Sequence, residues 1–152
     1  MDADLDAKIN IAYGIKDMMD LSNAMRSQTF VDTMVPVMLE ILTTFAPVMI
    51  SKSPENHFRV VLLDLLYKFP MNDLLKPYIG RFADTCLYIM RHDNEENAVT
   101  ALRVLMDLQK AYRNLPEMEA KLEAILDFVE LLLRNIQALA KESFDDTDCD
   151  MV

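Results

Sequence analysis

Few side chains in this sequence are suited to chemistry, and they are scattered. His57 and His92 are its histidines, and Cys86 and Cys149 its cysteines. A metal site carried on helices needs ligands one turn apart, such as a Glu three residues before a His. Neither histidine has a Glu at that spacing or a second His at helical ligand distance. A phosphate cradle needs clustered glycines, whereas Gly14 and Gly80 are isolated within helical stretches. A Cys–His nucleophile pair needs an accessible thiolate, and Cys86 lies in the apolar run from Phe82 to Met90, where inert burial is the common outcome. His57 reads as a half-exposed polar residue on the first turn of a helix, and His92 as a loop residue. The expectation is no catalytic residue, no metal and no cofactor, and therefore no enzyme.

What remains is the chemistry of binding other proteins. Arg59, Lys68, Arg103, Lys110 and Arg113, with Lys52, fall on or beside two helices and are the candidate partner-binding residues. A basic strip there would steer acidic segments by long-range attraction. The alternative is ordinary solvation and pairing with Asp64, Asp107 and Glu96. The 12 methionines suit an adaptable groove for amphipathic helices. Equally, Met18, Met34, Met38, Met90 and Met106 stand at helical spacing and would fill gaps in a core.

The whole-chain charge limits the partners. Twenty-five acidic residues against 15 basic ones give a formal charge of −10. That repels phosphate backbones and anionic headgroups, so neither direct nucleic-acid binding nor membrane attachment is expected. Two cysteines in unlike settings do not make a disulfide framework, which fits a reducing compartment. The acidic start, Met1 to Asp6, lacks the basic region of a secretory leader. The most apolar run, Met34 to Ile50, is interrupted by Pro36, Glu40 and Pro47 and is shorter than a spanning helix.

The elements that hold these residues are helical. With 52% hydrophobic residues, 2 Gly and 6 Pro in 152 residues, the chain is too apolar for disorder and too poor in turn formers for a many-stranded sheet. Leu5, Ile9, Ala12, Ile15 and Met19 mark a first helix, followed by a connection from Leu21 to Ser27. Thr29 and Asp32 suggest a capped start for a second, with Phe30, Met34, Val37, Met38, Ile41 and Phe45 as its core face. Ser53-Pro54-Glu55 is the clearest helix start, combining a cap, a first-position proline and an acid at the positive end of the dipole. That third helix runs to about Phe69, before Pro70. A fourth covers Asp73 to Arg91, and a fifth runs from the Asn94 cap to Arg113. A sixth opens at Pro116, with Leu122, Ile125, Val129, Leu132 and Ile136 inward. The expected layout is one helical repeat domain over 1–142 and an acidic tail over 143–152. The tail is frayed, a truncated helix, or a phosphorylation site at Ser143 or Thr147.

Internal repetition separates a closed bundle from an array. Pro36 and Pro77 lie 41 residues apart, and so do the pairs Glu55-Asn56 and Glu96-Asn97. Ile41 meets Phe82, Val61 meets Leu102 and Leu65 meets Met106 at the same offset. One helix pair per roughly 40 residues is the period of HEAT-type solenoids. The fold expectation is all-α: a HEAT-like α-solenoid of about six helices in antiparallel pairs.

The segment Ser27-Gln-Thr-Phe-Val-Asp-Thr-Met-Val-Pro-Val-Met-Leu39, then Ser53-Pro-Glu-Asn56, resembles the N-terminal region of the transformation/transcription domain-associated protein family. So do Leu75-Lys-Pro-Tyr78, Asp93-Asn-Glu-Glu-Asn97 with Ala101–Leu108, and Leu126-Asp-Phe-Val129 through Asp145. The resemblance spans roughly residues 10 to 145, and Asn-Glu-Glu-Asn is its most specific part. It implies a piece of a giant HEAT-repeat scaffold of the phosphatidylinositol-3-kinase-related class, with an inactive kinase domain. Such scaffolds sit in SAGA-type and nucleosome-acetyltransferase co-activator complexes in the nucleus. The partners it implies are co-activator complex subunits and acidic transcriptional activators. A HEAT-like adaptor of another pathway, transport or phosphatase scaffold, is the alternative. Uncovered solenoid ends would also permit a homo-dimer.

Overall fold

The computed structural model describes residues 3–21 and 26–149, with the side chains of these except 19–21 and 145–149. The side chain of Met19 and residues 22–25 of the Leu21–Ser27 connection therefore lie outside the described residues, as do the side chains of Thr147 and Cys149. The described residues hold α1 (Ala3–Leu21), α2 (Gln28–Thr44), α3 (Pro54–Lys68), a 3-10 segment (Asp73–Tyr78), α4 (Ile79–His92), α5 (Glu95–Tyr112), the short α6 (Pro116–Glu119) and α7 (Leu122–Cys149), with no strand among them. The fold is all-α and HEAT-like.

Local chemistry sets most of the boundaries. Ser53 accepts a hydrogen bond from the Asn56 amide at 3.1 Å, with Pro54 at the first helical position. Asn94 caps α5 in the same way, accepting from the Asn97 amide at 3.1 Å. In α2 the cap is Ser27, which accepts from the Phe30 amide at 3.4 Å, so the helix starts ahead of the Thr29 that its sequence suggested. The fourth helix divides at Pro77, whose ring restricts the residue before it. The chain passes Pro77 as a 3-10 segment and becomes α-helical only at Ile79. Pro36, its counterpart one repeat earlier, sits inside a continuous α2. The two prolines occupy corresponding helices but break only one of them.

The chain forms two compact units, residues 1–119 and 120–152. In the first, α2 and α3 form one pair, and the 3-10 segment with α4 pairs with α5. Equivalent helices stack: α1 on α3 and α3 on α5 in one layer, α2 on α4 and α4 on α6 in the other. The core lies between these layers, at Leu39, Leu42, Leu63, Leu65, Phe82, Ile89 and Leu108.

Two core assignments are corrected. In α2 the buried residues are Val31, Val35, Met38, Leu39 and Leu42, while Val37 and Phe45 are exposed. The helix is apolar around most of its circumference, so two overlapping stripes fit its periodicity, and packing against α3 and α4 selects the other one. Leu102 and Met106 are likewise exposed although their counterparts Val61 and Leu65 are buried. The repeats share a backbone plan, but within residues 1–119 α3 packs against both α1 and α5 in its layer, whereas α5 packs there against α3 alone.

The described part of the second unit is almost entirely one long helix. No Pro or Gly follows Pro116 in the sequence, and α7 runs unbroken to Cys149 through the acidic stretch from Ser143. Leu122, Val129, Leu132 and Ile136, expected to face inward, are exposed on it, and Ile125 is half-buried.

Candidate protein-docking site

The most specific sequence motif, Asp93-Asn-Glu-Glu-Asn97, is a joint between repeats rather than a contact surface. Asn56 Oδ1 accepts hydrogen bonds from Asn94 Nδ2 at 2.7 Å and Asn97 Nδ2 at 2.8 Å. Asn97 Nδ2 also donates to Asp93 Oδ1 at 2.9 Å, and Asn94 Nδ2 to the Val48 carbonyl at 3.0 Å. Asn56 and Asn97 are each 1% exposed, and the capping requirement at both helix starts places them there.

Arg59 completes this network, which corrects its assignment as a partner-binding residue. Its side chain is 3% exposed and that of Asp93 0%. Arg59 Nε donates to Asp93 Oδ2 at 2.8 Å, while Nη1 and Nη2 donate to the carbonyls of Phe45 at 3.0 Å and Leu42 at 3.1 Å. Those carbonyls lie at the C-terminal end of α2, whose dipole favours a cation. A guanidinium held at both ends within the fold has nothing left for a partner. The two-residue turn that delivers Asp93 to it belongs to the tertiary arrangement, and only the Asp-Asn-Glu-Glu-Asn motif signals it in sequence.

The other candidates remain at the surface. Lys52, Lys68, Arg103, Lys110 and Arg113 are exposed. Arg103 and Lys110 share the outer face of α5, and Arg113, its C-cap residue, continues the same helical spacing. Between them on that face stand Val99, 44% exposed, Leu102, 38%, and Met106, 50%. Lys110 is 3.8 Å from Asp107, an open pair that contributes little. At the N-terminal end of this face, Met49, Asn94, Glu95, Glu96, Val99 and Arg103 border an open groove of about 660 Å³, so two carboxylates stand beside the one cation there. The α2–α3 loop adds exposed Met49 and Ile50 beside it. The arrangement is apolar side chains interleaved with cations along α5 and its C-cap, with Glu95 and Glu96 at the helix start.

The candidate nucleophile and the two histidines are placed differently. Cys86 is fully buried, and desolvation pushes its thiol up to about 12, far from a reactive thiolate. His57 Nε2 and the Tyr13 hydroxyl are 2.6 Å apart, linking α3 to α1. His92, the last residue of α4 rather than a loop residue, meets Tyr88 in a tilted contact with ring centroids 4.9 Å apart. Among the described residues no three His, Cys, Asp or Glu are grouped to hold a metal. No described helix is long and apolar enough to cross a membrane.

Known proteins supply the decisive comparison. A "Probable transcription-associated protein 1" from Dictyostelium discoideum is 33% identical over 130 residues, covering 86% of this chain and 3% of the relative. The chain belongs to the transformation/transcription domain-associated protein family. The Homo sapiens "Transformation/transcription domain-associated protein" is 21% identical over 83% of the chain and 3% of its own length. The "SAGA complex/NuA4 acetyltransferase complex subunit TRA1" of Saccharomyces cerevisiae is 24% identical over 94% of the chain and 4% of its own. This family member thus spans 3–4% of the length of these relatives. No family model matches the chain, and no solved structure matches it.

Proposed function

We propose that this chain is a scaffold segment of a nuclear transcriptional co-activator, without catalytic activity of its own. In this reading it holds protein surfaces in a complex that recruits histone acetyltransferase. The observation that carries it is the 33% identity to a transcription-associated protein across 86% of the chain. The Saccharomyces cerevisiae relative, named as a SAGA and NuA4 subunit, supports co-activator subunits as the partners. Stacked helix pairs support the mode of action, since each pair contacts its neighbours and leaves an outer helix face free.

Within this reading the outer face of α5 receives acidic transcriptional activators. Arg103, Lys110 and Arg113 attract the acids, and Val99, Leu102 and Met106 bury apolar side chains between them. Arg59 has no part in this face. Two experiments test the two levels separately. Immobilised chain incubated with nuclear extract should retain histone acetyltransferase activity and co-activator subunits. Retention of transport factors alone would overturn the co-activator reading. Separately, Arg103→Glu with Lys110→Glu should weaken binding of an acidic amphipathic peptide at least tenfold. An unchanged affinity would remove α5 from the assignment.

A further inference from the structure

The loop between α2 and α3, residues 45–53, has no regular secondary structure, and none of its residues is buried. Phe45, Met49 and Ile50 are among its exposed side chains. Apolar burial therefore offers little to offset the entropy of fixing this backbone. Hydrogen bonds from outside the loop do so instead, at every third carbonyl from Leu42 to Ser51. Arg59 donates to the Leu42 carbonyl at 3.1 Å and to that of Phe45 at 3.0 Å. Asn94 Nδ2 donates to the Val48 carbonyl at 3.0 Å, and Asn56 Nδ2 to the Ser51 carbonyl at 2.8 Å. All three donors answer to the turn of the next repeat. Asn94 stands in that turn. Arg59 is oriented by Asp93 of the same turn, which accepts from its Nε at 2.8 Å. Asn56 is oriented by Asn94 and Asn97, which occupy its Oδ1 and leave its Nδ2 aimed at Ser51.

We infer that this loop is a conformational device read out from repeat stacking: it is fixed while the Asp93-Asn94 turn sits against α3 and is released as a unit when that joint opens. Each helix pair of such an array touches only its neighbours, so bending between pairs is borne at joints of this kind. The pins are polar and directional, and a small displacement of the turn breaks them together. Release has a consequence at the surface. Met49 borders the groove shared with Val99 and Arg103, so the start of the outer face of α5 changes with the state of the joint. The coupling is reciprocal, and whatever fixes the loop also favours the stacked joint.

Backbone NMR relaxation on the whole chain tests this, through the order parameters of the Val48 to Lys52 amides. In the native chain these should be near 0.85, and in Asn94→Ser below about 0.6. Serine keeps a hydroxyl to cap α5 but has no Nδ2 for the Val48 carbonyl. Arg59→Lys is the second variant, since an ammonium lacks the fork that spans Asp93 and two carbonyls. Leu108→Ala, in the core of α5 well away from the turn, is the control. It should lower the melting midpoint while the loop stays ordered. A loop still ordered in both Asn94→Ser and Arg59→Lys overturns the device, as does one already loose in the native chain. Order lost equally along α3 and α5, or lost as much in Leu108→Ala, also overturns it, in favour of general loosening. Loss confined to the loop in Asn94→Ser, with the control unaffected, supports it.

Discussion

Asn56 and Asn97 stand one repeat apart in sequence and touch in space: the side-chain amide of Asn97 donates to the side-chain carbonyl of Asn56 at 2.8 Å. Both belong to helices capped three residues earlier, by Ser53 and Asn94. The cap brings each asparagine to the same depth in its helix, and stacking of α3 on α5 brings the two together. A buried amide without its partner costs about 1–3 kcal/mol. Asn97→Ala should therefore destabilise the chain by about that amount in urea unfolding. A double-mutant cycle with Asn56→Ala should return a coupling above about 0.5 kcal/mol. Additive losses would show that the contact contributes nothing.

Arg59 and Asp93 form the costliest part of the same joint. Removing one partner of a buried pair leaves the other charge unmatched, a loss of about 3–5 kcal/mol. Arg59→Met and Asp93→Asn should each lower the melting midpoint sharply. Arg103→Glu, at an exposed position, should leave it nearly unchanged. Equal melting of Arg59→Met and the native chain would return Arg59 to the surface candidates.

Leu65 and Leu102 test the packing of equivalent helices. Leu65 is 1% exposed and Leu102 38%. Leu65→Ala should cost about 2–5 kcal/mol through lost burial and the cavity left behind. Leu102→Ala should cost under about 1 kcal/mol. Denaturant midpoints of the two variants distinguish them directly.

Alkaline stability depends on two buried acids. Burial pushes the Cys86 thiol from 9.0 up to about 12. Burial first, then the nearby Asp73 carboxylate, pushes the Tyr112 hydroxyl from 10.0 up to about 12. Both groups ionise more readily in the unfolded chain, so their contribution is complete below pH 9 and is lost as pH rises towards 12. Cys86→Ala should flatten the fall in melting midpoint that begins near pH 9. Tyr112→Phe should flatten the part above pH 10. It should also cost about 1 kcal/mol at neutral pH, because the hydroxyl donates to the Asn72 carbonyl at 2.7 Å. Unchanged slopes in both variants would assign the fall to the general negative charge.

Gly14 offers a change in the opposite direction. It lies inside α1, and a Cβ placed there would meet nothing within 4 Å. Gly14→Ala should stabilise the chain by about 0.5–1 kcal/mol through helix propensity. A lower melting midpoint would show that α1 needs the glycine.

Much of this architecture was legible in sequence because it depends on local chemistry. Ser53-Pro54 and Asn94 announce helix starts through side chains that satisfy orphan amides two or three residues away. The 41-residue offset of the Glu-Asn pairs announces stacking, because equivalent positions in an array meet equivalent neighbours. The stretch from Ser143, for which a truncated helix was one reading, continues α7 to Cys149, since nothing after Pro116 stops a helix. Burial and pairing needed the tertiary structure. Which stripe of α2 faces inward is decided by the helices beside it, since its sequence is apolar nearly all round. Leu65 and Met106 occupy matching positions, yet the first is buried between α3 and its neighbours and the second is exposed on α5. Arg59 and Lys68 look alike as cations on one helix. Only the fold brings Asp93 and two carbonyls to the first, because those groups come from distant parts of the chain.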